Sequence, residues 1–167
     1  SQQEVCPLPS IYLSPSTQEF NEYVNGLGTE EEWMNRLADA MEPQLTASGI
    51  RFTRNTPDMT AASSIQASNA GSYDLHLALH TNASGSGQAG RNRGILAFYY
   101  PGSPRGQRAA EFFVDGLKAI YPLPALVRTE PTTTIGEVRR TRAPAVLLEL
   151  GFHDNPEDAQ WIVTHLD

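Results

Sequence analysis

The sequence predicts a single-domain α/β sandwich in which a mostly parallel central sheet is flanked by helices. Apolar segments of strand character alternate along the chain with segments of helical periodicity, and this order is typical of folds with parallel sheets. The chain has 167 residues, of which 40% are hydrophobic and 19% charged, and this fits one globular domain. Residues 1–9 predict an irregular arm, and residues 10–167 the folded domain.

The first strand and helix are separated by a polar loop. Residues 11–13 are a short apolar run that stops at a Ser-Pro-Ser sequence, which predicts a buried strand entering a loop. A helix over 29–47 is indicated by Thr29, which can cap it, and by Glu32 three residues later. Its apolar stripe recurs every four residues, at Trp33, Leu37, Met41 and Leu45.

The middle of the chain predicts two strands and a helix. Residues 51–54 read as a short strand and the Ala/Ser-rich residues 58–70 as a helix. Residues 73–82 have the clearest strand pattern, because side chains on the two faces alternate. Leu75, Leu77 and Leu79 point to one face and His76, Ala78 and His80 to the other.

The C-terminal half completes the alternation. Strands are predicted at 95–100, 126–129 and 144–150, and helices at 104–121 and 134–141. A last helix begins at Asn155, which can cap it, with Pro156 at the first helical position.

Charge and composition exclude several classes of protein. A net charge of −7 argues against nucleic acid as a partner, and the chain lacks the roughly 18-residue apolar run of a membrane span. The single Cys6 cannot form an internal disulfide, although it could be a remnant of lipid attachment, and no signal peptide is visible. The basic residues are eleven Arg and one Lys, so an anionic ligand is conceivable, but surface ion pairs are the more frequent role. Oligomeric state is not predicted.

Polar residues follow the ends of three predicted strands, at 14–18, 80–82 and 149–155. In parallel α/β sheets the ligand crevice lies at the carboxyl ends of the strands. Glu149 interrupts an apolar strand, and burying an unpartnered charge costs several kcal/mol. Glu149 is therefore either functional, through a metal or a proton transfer, or paired with Arg139, Arg140 or Arg142.

The four histidines have different expected roles. His80 ends a strand and is a candidate ligand, whereas His76 lies roughly 13 Å away along the strand and is interpreted as structural. His153 follows Glu149 closely enough to reach the same site, and His165 is expected at the surface. The acidic residues in the first turn of the first helix interact favourably with the helix dipole, and each stabilises the helix by about 0.3–1 kcal/mol.

Two motifs together resemble one family. The run Asp74-Leu75 followed by His80-Thr81-Asn82-Ala83, and the run from Pro144 to Asn155, are similar to the zinc-dependent N-acetylmuramoyl-L-alanine amidases of the amidase-3 family. The likeness spans roughly 10–167, which would then be the catalytic domain. It implies a zinc held by two His and one Glu, with His80 as the second His and Glu31 as the ligand Glu. Glu149 matches the Glu that assists catalysis.

One departure concerns the family's first His ligand, which follows the first strand. Here that loop reads Ser14-Pro15-Ser16-Thr17-Gln18 and has no His. Three outcomes stay open. Zinc is bound by Glu31, His80 and an oxygen of Gln18 or Glu19, or His153 is recruited, or the metal has been lost.

The resemblance implies hydrolysis of the amide between N-acetylmuramic acid and L-alanine in peptidoglycan. A zinc-bound water would be the nucleophile, and Glu149 would pass its proton to the leaving amine. The substrate implies an extracytoplasmic location, in the cell envelope or secreted. Its stem-peptide carboxylates could pair with Arg91, Arg93 or Arg142. The alternatives are a non-catalytic peptidoglycan-binding or regulatory domain that has lost a metal ligand, and a domain that binds small anionic molecules.

Overall fold

The computed structural model describes residues 7–167 and contains one six-stranded sheet; Cys6 and the first part of the predicted arm lie outside these residues. The strands lie in the order β2-β1-β3-β6-β4-β5. Their bounds are β1 Ser10–Pro15, β2 Arg51–Arg54, β3 Leu75–Asn82, β4 Ile95–Tyr99, β5 Val127–Pro131 and β6 Ala145–Phe152.

Four neighbouring strands run in one direction. β2, β1, β3 and β6 pair in parallel, while β4 is antiparallel to β6 and parallel to β5. The carboxyl ends of β1, β3 and β6 therefore meet at one edge of the sheet, which we call the carboxyl edge.

Helices cover both faces of the sheet, and this confirms the predicted fold class. Their bounds are α1 Glu30–Ala47, α2 Ala61–Ala70, α3 Pro104–Lys118, α4 Gly136–Arg139 and α5 Pro156–Thr164. The larger core joins α1, α3 and α5 to one face of β3 through Leu77 and Leu79. On the other face Val138 of α4 packs against Ala78 and Leu147. The predicted alternation of β3 is thus correct.

Side-chain caps fix where the two helices nearest the carboxyl edge begin. Thr29 accepts a hydrogen bond from the Glu32 backbone N–H at 3.2 Å, as the capping pattern predicted. Asn155 accepts from the backbone N–H groups of Glu157 and Asp158, both at 3.0 Å. No helix in residues 7–167 is long and apolar enough to cross a membrane.

Candidate active site

Four elements bring buried polar side chains together at the carboxyl edge. β1 supplies Ser14, β3 supplies His80, β6 supplies Glu149, and the first turn of α1 supplies Glu30. His80 and Glu149 are register partners on adjacent parallel strands, so their side chains emerge from the same face of the sheet, with their backbones about 5 Å apart.

Glu30, not the predicted Glu31, is the helix-start carboxylate that lies beside His80. It is 1% exposed and accepts hydrogen bonds from the Thr81 backbone N–H at 2.8 Å and from Ser16 Oγ at 2.5 Å. Its Oε2 lies 3.7 Å from His80 Nδ1. Burial raises the pKa of Glu30, but contact with His80 and these donors outweigh burial and lower it below the usual value.

Glu31 lies on a neighbouring face of α1, because one residue turns an α-helix by about 100°. It is partly exposed, and burial and the nearby charge of Glu19 raise its pKa. Of the three consecutive glutamates, the structure places Glu30 beside His80, and the role of Glu31 as a zinc ligand stays a prediction. The inward face of the first turn is set by Glu30 and Met34, both fully buried.

His80 is held between two carboxylates. Its Nε2 lies 3.0 Å from Glu137 Oε2, and its Nδ1 faces Glu30. Burial lowers the pKa of His80, but hydrogen bonding to Glu137 and Glu30 and their charges raise it to about 10. The imidazole is therefore cationic at neutral pH.

Glu137 of α4 is a site residue that the sequence analysis missed. Its Oε1 accepts from Ser14 Oγ at 2.5 Å and lies 3.1 Å from His76 Nε2. Burial raises the pKa of Glu137, but hydrogen bonds to His76 and His80 lower it to about 2. His76, interpreted as structural, is fully buried between Glu137 and Ser68 Oγ, which lies 2.9 Å from its Nδ1.

Glu149 differs from the other carboxylates because part of it is left without a partner. Its Oε2 is inaccessible to solvent and has no hydrogen-bond partner within the described chain. Burial raises the pKa of Glu149 to about 7, with His80 opposing and Glu30 and Glu137 adding to the shift. The structural alternative for Glu149 is not observed, because the ion pairs of residues 7–167 include neither Glu149 nor Arg139, Arg140 or Arg142. Arg139 and Arg142 line a groove at the other end of β6.

His153 joins the site through Thr81. Its Nδ1 lies 2.9 Å from Thr81 Oγ1, and its ring stacks on Tyr23 with centroids 5.5 Å apart. Burial lowers the pKa of His153, so this imidazole is neutral at physiological pH. His153 therefore contacts Thr81 and Tyr23, and its recruitment as a zinc ligand stays a prediction.

The loop after β1 forms one wall of a cavity of about 260 Å³ that also contains His80 and Glu137. Gln18 lies in this wall, but its Oε1 accepts a hydrogen bond from Asn21 Nδ2 at 2.6 Å. Its role as a third metal ligand stays a prediction.

The donor set does not fit a complete zinc site. Among residues 7–167 no three His, Cys, Asp or Glu side chains surround a common point. Catalytic zinc is usually held by three protein ligands, and the two strong donors that face each other here are Glu30 and His80. Ser16, whose hydroxyl donates to Glu30, and Thr17 lie in the same cavity wall as His80.

Of the arginines predicted to meet substrate carboxylates, Arg93 is already paired. Its Nε lies 2.9 Å from Asp158 Oδ1 and its Nη1 2.5 Å from Glu157 Oε2. Arg142 is exposed and lines the groove at the other end of β6.

Fold and site together describe an α/β domain with a cluster of carboxylates and imidazoles at the carboxyl edge of a mostly parallel sheet. The sequence profile of the Amidase_3 family, described as N-acetylmuramoyl-L-alanine amidase, matches residues 18–166. The chain belongs to this family, which confirms the resemblance and the enzyme class predicted from the sequence.

Solved structures of amidases share the fold. AmiC2 of Nostoc punctiforme superimposes with a TM-score of 0.80 at 13% identity, covering 94% of this chain and 87% of that one. The catalytic domain of the CD27L endolysin targeting Clostridia Difficile gives 0.73 at 22% identity, covering 91% and 86%. Ami1 from Mycobacterium smegmatis gives 0.76 at 16% identity, covering 93% and 87%. No curated protein sequence matches this chain significantly.

Proposed function

We propose that this chain hydrolyses the amide bond between N-acetylmuramic acid and L-alanine in peptidoglycan, with Glu149 as the general base. The single observation that carries the assignment of Glu149 is its buried Oε2, which has no partner in residues 7–167. A buried unpaired oxygen costs about 1–3 kcal/mol, so such a group persists where it has a task. Family membership supplies the reaction.

Glu149 suits a reaction in which one group first accepts a proton and later donates it. A general base works best when its pKa lies near the working pH, and the pKa of Glu149 is raised to about 7. Glu149 accepts a proton from water as the water oxygen bonds to the amide carbon. When the C–N bond breaks, the same proton goes to the leaving nitrogen of L-alanine. His80, held cationic by Glu30 and Glu137, places positive charge beside this step.

Zinc is the cofactor that the family resemblance implies, and Glu30 and His80 are the residues that would contact it. His80 would first have to lose the proton that Glu30 and Glu137 stabilise, because only the neutral imidazole binds a metal. Because the third ligand is missing, we expect weaker zinc binding than in a three-ligand site. The same incomplete donor set supports the second candidate function, a peptidoglycan-binding domain without activity.

Peptidoglycan digestion distinguishes the two candidates. The purified chain is incubated with isolated peptidoglycan, once with added zinc and once with a chelator, and new L-alanine amino termini are quantified by mass spectrometry. We expect these termini to accumulate in at least one arm. Binding to peptidoglycan with no new termini in either arm would support the binding domain instead. Since peptidoglycan lies outside the cytoplasmic membrane, we place this activity in the cell envelope or among secreted proteins.

A further inference from the structure

The end of the sheet opposite the carboxyl edge carries a strongly basic groove. Its cavity of about 730 Å³ lies between the start of α3 and the segment that leads from α4 into β6. We call it the arginine groove after four of its lining residues, Arg105, Arg108, Arg139 and Arg142. Ala145, which begins β6, also lines it, and Glu149 lies four residues, or about 13 Å, further along the strand.

The four arginines have no acidic partner in the part of the chain that the structure describes. The ion pairs of residues 7–167 use other arginines, namely Arg36, Arg54, Arg93 and Arg128. Asp and Glu are also missing from the described residues that line the groove. In a chain with a net charge of −7, four guanidinium groups left to face one cavity are unexpected.

The groove is built to receive anions. Guanidinium groups bind carboxylates through two parallel hydrogen bonds, and all four arginines are exposed and able to do so. Ser103 and Pro104, which open the 15-residue helix α3, also line the groove, so the positive end of the helix dipole adds to the field.

We propose that the arginine groove binds carboxylates of peptidoglycan stem peptides outside the cleaved bond. This inference rests on the proposed function, which supplies the substrate. The groove lies at the opposite end of β6 from Glu149, so it can hold a stem peptide other than the one that is cleaved. Binding there would keep the enzyme on the wall between cleavage events.

The test is cosedimentation with purified peptidoglycan, using Glu149→Gln as the parent so that the polymer is not digested. Arg105→Gln with Arg142→Gln is compared with Arg36→Gln with Arg128→Gln, a control that removes the same charge from exposed arginines outside the groove. We expect the groove variant to bind about five- to tenfold more weakly, and the control to change binding less than twofold. Unfolding curves establish that both variants fold.

Two treated polymers identify the anion. Peptidoglycan stripped of phosphate polymers with hydrofluoric acid should keep the difference between groove variant and control, and peptidoglycan with amidated carboxyl groups should lose it. Equal weakening by both variants, or no weakening, would overturn the proposal. So would a difference that vanishes with the phosphate polymers, since the ligand would then be a phosphate. Failure of the wild-type chain to cleave peptidoglycan contradicts the proposed function but leaves this binding result readable.

Discussion

Asp158 and Glu149 are two carboxylates near the end of β6 that the protein treats in opposite ways. Asp158 is fully buried, and each of its oxygens has two donors. Oδ1 accepts from Arg93 Nε at 2.9 Å and Tyr121 OH at 2.6 Å. Oδ2 accepts from the backbone N–H groups of Gly94 and Phe152, both at 3.0 Å. Glu149, by contrast, keeps a buried oxygen without a donor in the described chain.

The difference separates a carboxylate that holds the fold together from one that does not. Asp158 ties the start of α5 to β6 and to the residue before β4, and all of its contacts serve the fold. Glu149 sits where two neighbouring carboxylates disfavour its charge, and no donor in the described chain stabilises its Oε2. Burial is common to both side chains, so burial alone does not support a catalytic role. The raised pKa of Glu149 and its unpartnered oxygen at the carboxyl edge are what support the proposed role.

The largest effect that tests this comparison is on turnover. Glu149→Gln keeps the shape of the side chain and removes the base, so we expect peptidoglycan cleavage to fall by about 10²–10⁴ while the fold is kept. Asp158→Asn should instead lower the free energy of unfolding by about 2–4 kcal/mol. Arg93 loses its charged partner, and one of the two carboxylate oxygens becomes an NH2 group that faces two donors. Cleavage rates and denaturant unfolding of both variants measure the two effects.

Glu157→Gln is the matched control, since Glu157 is exposed and contacts the same Arg93. Glu157→Gln should change neither the cleavage rate nor the free energy of unfolding by much. The comparison breaks if Glu149→Gln cleaves peptidoglycan at the wild-type rate, or if Asp158→Asn unfolds like the wild type.

Glu137 sharpens the comparison because it lies in the site but, like Asp158, has a partner at each of its carboxylate oxygens. We expect Glu137→Gln to cost about 2–3 kcal/mol of unfolding free energy, since His76, His80 and Ser14 lose a charged acceptor. The pKa of Glu137 is lower in the folded protein than its ordinary value of 4.5, so its charge stabilises the fold at pH values above 4.5. This contribution is lost as the pH falls toward about 2. The difference from wild type should shrink over that interval.

Two measurements check Glu137 separately. Denaturant unfolding between pH 2 and 7 follows the stability, with Glu130→Gln at an exposed ion pair as the control. NMR titration of His80 should show its pKa falling well below about 10 in Glu137→Gln. An unchanged His80 titration would mean that Glu137 does not hold the charge on this imidazole.

The sequence predicted the six strands and the polar edge of the sheet, but it did not predict that Glu30 and Glu137 lie in the site. Glu149 could be found because it interrupts an apolar strand, and His80 because it ends one. Glu30 was missed because Glu31 was chosen by its match to the family motif, and that match does not define which face of the helix turns inward. Met34 and the small Ala38 are the residues that face the core fully. Glu137 lies in a four-residue helix, and only its contacts with residues 57 and 61 positions away place it.

A smaller effect concerns how Glu149 changes stability with pH. Its pKa is raised from an ordinary 4.5 to about 7, so its neutral form favours the fold at low pH and this advantage is lost as the pH rises through 7. Glu149→Gln cannot ionise and should therefore become more stable than wild type by up to about 3 kcal/mol above pH 7, with little difference near pH 4. Thermal unfolding from pH 4 to 8 tests this, and a pH-independent difference would place Glu149 in contact with solvent.

The smallest expected effect concerns the missing third ligand of the zinc site. Thr17 lies in the same cavity wall as His80, so Thr17→His offers a third ligand beside Glu30 and His80. Losing even an indirect partner of a zinc ligand costs about 10–100-fold in affinity, so gaining a direct ligand should raise zinc affinity by at least about tenfold in calorimetric titration. Thr133→His, at an exposed position, is the control for adventitious binding. If both variants bind zinc like the wild type, the loop after β1 does not point a side chain at this pair, and Gln18→His becomes the position to test. If Thr17→His binds zinc tightly and cleaves faster, the carboxyl edge lacks only that ligand, and Glu149 keeps its role beside a metal.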